Sequence, residues 1–225
     1  MNGAARRIVT PRQNFALQNF DTPLEKGVTP PSQTNNLVGG VVIAMGASTG
    51  GVEALELILA EFPETAPPVV LVIHMPPGFT KLFASRLNAT MAVNLKEAET
   101  GDCLQQGLVL VAPAGKHMKI VSQNGRFSVE CYDGPLVQSV RPSADILFES
   151  VAREAGKKAI GVILTGLGAD GARGLLKMRQ AGARTIGQNK ETSAVYGMPK
   201  VAMEMGAVEE QVPLEKMAAK ILSLV

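Results

Sequence analysis

Apolar and polar positions along this chain follow two periods in turn. From Gly39 onward, short apolar runs suited to buried strands give way to segments with apolar residues at helical spacing, and the two kinds succeed one another to the C-terminus. The apolar runs predict strands over 40–45, 68–74, 158–165 and 184–188. Between and after them, the spacing predicts helices over 51–62, 79–88, 143–155, 171–181, 195–205 and 213–224. Strands that are apolar on both faces and separated by helices belong to a parallel sheet covered on both sides. The expected fold class is therefore α/β, with a doubly wound, mainly parallel sheet. One stretch departs from the alternation. Leu108 to Ala112 and His117 to Val121 lead through Asn124-Gly125 into Arg126 to Tyr132, which predicts an antiparallel hairpin at one edge of the sheet.

Residues 1–38 carry neither period. They are rich in Asn, Gln, Thr and Pro and include Pro30-Pro31-Ser32-Gln33-Thr34-Asn35-Asn36, so a linker or disordered tail is expected there, ahead of one folded domain over 39–225. With 225 residues, 46% of them hydrophobic, the chain can bury one sizeable core. Composition then removes several function classes. The net charge of +2 comes without a basic run and without any Trp, which argues against a nucleic-acid partner. Two Cys and two His are too few for a disulfide scaffold or a zinc site, so a reduced, cytoplasmic protein without a metal is expected. No apolar segment approaches the roughly 20 residues of a membrane span, and the N-terminus has no hydrophobic signal core.

The chemistry-bearing residues lie at strand ends. Gly46-Ala47-Ser48-Thr49-Gly50-Gly51 follows the first apolar run and precedes the helix predicted from 51. Small residues on a tight strand-to-helix turn let a serine hydroxyl project at the carboxyl edge of a sheet, where backbone N–H groups of the following helix face a developing anion. A serine needs a base, and only His74 and His117 are present. His74 ends the second apolar run, so parallel strands bring it to the same edge as Ser48. Asp170 follows the run ending at Thr165, within Gly166-Leu167-Gly168-Ala169-Asp170-Gly171, and also stands at that edge. Two roles remain open for Asp170 at this point: orienting acid for the histidine, or N-cap of the helix over 171–181. His117, with Asp102 as its acid, is the alternative base if the chain followed the usual α/β-hydrolase order of serine, acid, histidine. The glycine turn also admits a nucleotide-binding reading. Against it, the spacing is G-x-x-x-G-G rather than G-x-G-x-x-G, and no P-loop lysine follows.

Taken in order, Gly46 to Gly51, His74-Met75-Pro76 with Phe79-Thr80, Ala112-Pro113-Ala114-Gly115-Lys116-His117, Arg141-Pro142-Ser143-Ala144-Asp145, Leu164 to Ala172 and Tyr196-Gly197-Met198-Pro199 resemble the chemotaxis protein-glutamate methylesterases, the CheB family. These motifs span essentially all of residues 39–225. The resemblance implies a methylesterase catalytic domain with Ser48 as nucleophile, His74 as general base and Asp170 as orienting acid. The implied oxyanion or substrate-site candidates are Thr49, Gly50, Leu167 and Gly168. It further implies hydrolysis of glutamate γ-methyl esters on the cytoplasmic domains of methyl-accepting chemoreceptors, with glutamine deamidation as a side activity and no cofactor. Two departures stand out. Family members usually carry a receiver domain ahead of the catalytic domain, which the first 38 residues do not resemble, and Leu167 replaces a typical methionine. Two other classes compete: a non-catalytic receptor-binding module, and a nucleotide-binding α/β domain.

Overall fold

The computed structural model of the protein describes residues 40–225, so the tail expected over 1–38 lies outside the described residues. Nine strands and six α-helices follow the order β1 (Val42–Ala47), α1 (Gly51–Ala60), β2 (Val69–Ile73), α2 (Phe79–Asn88), β3 (Asn94–Glu97), β4 (Leu108–Val111), β5 (His117–Gln123), β6 (Arg126–Tyr132), α3 (Ala144–Glu154), β7 (Ala159–Ile163), α4 (Ala172–Gln180), β8 (Arg184–Gln188), α5 (Met198–Glu204), β9 (Glu210–Val212) and α6 (Leu214–Leu222) among the described residues. Seven strands form one sheet in the order β3-β4-β2-β1-β7-β8-β9, and every pairing in it is parallel.

The central strands are buried on both faces, and successive residues point into different cores. Val42 and Ala44 of β1 pack with α3 and α4 residues such as Phe148 and Leu175. Ile43, Met45 and Ala47 pack with Leu55, Leu59, Phe83 and Ile221 of α1, α2 and α6. Each face of the sheet thus has its own helical layer, as the alternation of runs predicts. Two strands escaped the pattern, and both are outermost. β3 has the sequence Asn-Leu-Lys-Glu with only Leu95 buried, and β9 has Glu-Gln-Val with only Val212 buried. Short polar edge strands expose little template for pairing with another chain, which is also why their periodicity is too weak to see.

The hairpin forms, but it stands apart from the sheet edge where it was expected. β5 and β6 make a separate two-stranded sheet, and Leu108–Val111 is instead the parallel strand β4 of the main sheet. Both outer edges of the hairpin are occupied. On β5, the Ile120 N–H donates to Ser150 Oγ of α3 at 2.9 Å. On β6, residues 101–104 pair through Gly101 N–H to Val129 O, Val129 N–H to Asp102 O and Leu104 N–H to Phe127 O, each at 2.9 Å. With its backbone groups satisfied there, the hairpin buries Met118, Ile120 and Val129 against α3 instead of extending the sheet.

The strand order reverses direction at β1. The chain builds outward through β2 and β4 on one side, then returns to β7 on the other. Ligands of doubly wound sheets bind in the crevice at the carboxyl ends of such a switch point.

Candidate active site

Ser48 is the first residue past β1, and its neighbours in the sheet determine what it meets. Its N–H donates to Thr165 O at 3.0 Å, just beyond β7, and its carbonyl accepts from Gly51 N–H at 2.7 Å to close the turn into α1. Gly50 caps α1 with φ +78, in the left-handed region that disfavours side chains, and a Cβ there would lie 2.5 Å from Ala194 Cβ. The turn is therefore tight for two independent reasons. Thr165, 1% exposed, ties it down further. Its hydroxyl donates to Thr49 O at 2.9 Å and accepts from Val195 N–H at 2.9 Å, while its own N–H donates to Gln188 Oε1 at 2.8 Å. Gly166 packs directly under the serine, since a Cβ on it would lie 2.7 Å from Ser48 Cβ and 2.3 Å from Met198 Sδ.

His74 stands beside Ser48 by register. Ala47 pairs with Ile73 across β1 and β2, and the next N–H, of His74, donates to Ala47 O at 3.1 Å. The imidazole is only partly exposed, and its Nε2 lies 2.9 Å from Asp170 Oδ2. His74 and Asp170, from different strand ends, are thus in direct contact. The position that would hold a ribose-binding acid in a nucleotide site is thereby occupied by a histidine paired with a carboxylate.

Asp170 is 3% exposed and receives four donors. On Oδ2 they are His74 Nε2 at 2.9 Å and the Ala144 N–H at 2.6 Å. On Oδ1 they are Ser143 Oγ at 2.6 Å and the Asp145 N–H at 3.2 Å. A carboxylate has about four lone-pair positions, and all are filled, so only the ionised form satisfies every neighbour. Burial pushes this carboxyl up, but the hydrogen bonds from His74, Ser143, Ala144 and Asp145 outweigh it and hold the group below the usual carboxylate range. Because the carboxylate only accepts, Nε2 of His74 carries a proton, and in the neutral imidazole Nδ1 keeps the lone pair.

The capping role for Asp170 is real but belongs to a different helix. Asp170 binds the first N–H groups of α3, whereas α4 has Gly171 at its N-cap and no side-chain cap. The favour is returned: Asp145 in the first turn of α3 accepts from Gly174 N–H of α4 at 2.8 Å, and Gln138 Nε2 donates to it at 2.6 Å. The two helix N-termini thus hold each other's carboxylates.

His117 is drawn out of contention as a base. It is 1% exposed, its Nε2 donates to Pro135 O at 2.8 Å, and its Nδ1 accepts from Ser143 N–H at 3.3 Å. Asp102, its suggested acid, instead binds Lys96 Nζ and the Glu99 N–H. The four oxyanion or substrate-site candidates lie in the turns after β1 and β7. Thr49 is exposed, Leu167 is 73% exposed, and Gly168 has φ +90. The N–H groups of Thr49, Gly50, Leu167 and Gly168 donate to no described residue, so they are free to meet an incoming oxygen. Sequence reasoning did not single out Ser143, Thr165 or Gln188. A serine directly before a helical run is a recognisable capping signal; the other two carry none.

The chain is similar to several known proteins. The family model for CheB methylesterase matches residues 43–221. A protein-glutamate methylesterase/protein-glutamine glutaminase of Syntrophotalea carbinolica is 52% identical over 183 residues, which cover 81% of this chain and 52% of that protein. A similarly named protein of Rhizobium johnstonii is 49% identical over 207 residues, covering 92% of this chain and 60% of that one. The chain spans about half the length of the curated relatives it matches. The crystal structure of the Thermotoga maritima CheB methylesterase catalytic domain superposes with a TM-score of 0.81 at 38% identity, covering 83% of this chain and 99% of that one. The chain belongs to the CheB methylesterase family.

Proposed function

We propose that residues 39–225 form the catalytic domain of a protein-glutamate methylesterase that converts glutamate γ-methyl esters of chemoreceptors to glutamate and methanol, and that also deamidates receptor glutamines. The observation that carries this reading is the His74–Asp170 pair at 2.9 Å, one strand position from Ser48. In the proposed mechanism, Nδ1 of His74 takes the proton of Ser48 Oγ as that oxygen attacks the ester carbonyl. The imidazolium formed is stabilised by the ionised Asp170 across Nε2–H. The tetrahedral oxyanion meets the N–H groups of Thr49 and Gly50, with those of Leu167 and Gly168, equally without a partner among the described residues, as further donors. His74 then returns the proton to departing methanol, and a water deprotonated by the same imidazole releases the glutamate. For a glutamine the leaving group is ammonia and the remaining steps are the same.

The partners that follow are the cytoplasmic domains of methyl-accepting chemoreceptors, which places the reaction in the cytoplasm. Among the described residues, no helix is long and apolar enough to cross a membrane. The test is methanol release from methyl-labelled chemoreceptor membranes by this chain and by its Ser48→Ala variant. Loss of a triad nucleophile costs on the order of 10⁴ or more in rate. Release that persists in Ser48→Ala would refute the mechanism, and binding to receptor without release by the folded parent chain would favour a non-catalytic module.

A further inference from the structure

The segment Arg141 to Asp145 takes no part in the chemistry above, yet it supplies three of the four donors on Asp170. We infer that Ser143 is a positioning residue whose hydroxyl sets the plane of the Asp170 carboxylate and, through it, the orientation of the His74 ring. This inference rests on the triad reading of Ser48, His74 and Asp170.

The torsion that rotates an aspartate carboxylate is broad and two-fold, so no intrinsic preference holds the group in one plane. The donors must do it. Oδ2 is held by two contacts, at 2.9 Å and 2.6 Å. Oδ1 has one short contact, from Ser143 Oγ at 2.6 Å, and a long one from the Asp145 N–H at 3.2 Å. Without the hydroxyl, Oδ1 keeps only the long contact, and the carboxylate is free to swing about the oxygen that holds His74.

A serine before a helix has an ordinary role as N-cap, and the distances separate the two roles. The capping contact, from Ile146 N–H to Ser143 Oγ, is 3.5 Å, at the outer limit of a hydrogen bond, whereas the contact with Asp170 is nearly 1 Å shorter. The hydroxyl serves Asp170 first and the helix second. Ser143 is itself fully buried, and its N–H is held by His117 Nδ1 at 3.3 Å. This also gives the second histidine a place: it anchors the residue that anchors the acid.

The experiment compares the parent chain with Ser143→Ala and with Ser143→Cys, which is close in shape to serine and a weak donor. Steady-state methanol release from methyl-labelled receptor membranes separates kcat from KM. In parallel, ring ¹⁵N shifts of the two histidines report which nitrogen of His74 carries the proton. Both variants are expected to lose roughly 10- to 100-fold in kcat with KM within about twofold, as for a small misplacement of a catalytic group. His74 is expected to move from a single Nε2–H tautomer toward a mixture. Ser143→Thr, which restores the hydroxyl, is expected to recover the tautomer. Folded variants with parental kcat and an unchanged His74 signal would overturn the inference. If the parent chain releases no methanol while the His74 signal still responds to Ser143, the methylesterase reading fails and the positioning role stands.

Discussion

Asp170→Asn tests the saturated carboxylate most directly, because it preserves shape while removing the charge and turning one acceptor into a donor. The amide can point either way. With its NH₂ on the Oδ2 side, His74 can move its proton to Nδ1 and accept at Nε2, leaving the Ala144 N–H stranded. With its NH₂ on the Oδ1 side, the Ser143 hydroxyl must rotate to accept from it, which strands the Asp145 N–H and takes the hydroxyl proton from its acceptor. Each orientation therefore strands at least one buried donor. One stranded buried donor costs about 1–3 kcal/mol, so urea denaturation at pH 7 should show the variant less stable by that amount. The pH dependence provides an internal control. The carboxyl of Asp170 is held below its unfolded value, which is about 3.9 for an ordinary aspartate, so its stabilisation is complete above that pH and is lost as the pH falls through the folded value. The gap between parent and variant should therefore be widest at neutral pH and narrow below about pH 4. Activity should fall by up to about 10⁴, the cost of losing the charge that stabilises the imidazolium. A variant as stable as the parent at pH 7, or a gap that widens on acidification, would refute the account of Asp170 as an ionised acceptor of four hydrogen bonds.

Two further outcomes follow from packing at the same edge. Gly166→Ala places a methyl 2.3 Å from Met198 Sδ and 2.7 Å from Ser48 Cβ, so the serine must move. Methanol release is expected to drop about 10²-fold, with a stability loss of about 1–3 kcal/mol by thermal melting; parental activity would show that the nucleophile does not depend on this contact. His117→Gln should affect stability without comparable loss of activity, lowering the denaturation midpoint because a buried pair of hydrogen bonds to Pro135 O and Ser143 N–H is perturbed. Its turnover, measured on folded protein, should stay within about tenfold of the parent. Abolished turnover in that variant with His74→Gln still active would reverse the assignment of the base.

Much of this molecule was legible locally. The runs ending at Met45, Ile73 and Leu164 carry no polar side chain because central parallel strands are buried on both faces, and that alone predicts which residues emerge at one edge. Ser48, His74 and Asp170 could be proposed before any coordinate because each lies within a few residues past the carboxyl end of such a run, and parallel strands align those ends. The Gly-rich turn, the Asn124-Gly125 hairpin and the helix bounds within a few residues were likewise written in short-range pattern.

What the tertiary structure decided are the relations between segments far apart in sequence. Asp170 adjoins α4 but caps α3, because α3 and α4 pack with their N-termini side by side and each offers its free N–H groups to the other's carboxylate. The hairpin leaves the sheet because Ser150 and residues 101–104 satisfy its edges, contacts that span about thirty residues and leave no mark on local periodicity. His117 and His74 look alike along the chain, each next to a strand; one is spent on two backbone groups and the other keeps a nitrogen free. Periodicity records which face of an element is buried. It does not record which polar atom lies opposite, and in a site made of hydrogen bonds that is the quantity that sets the chemistry.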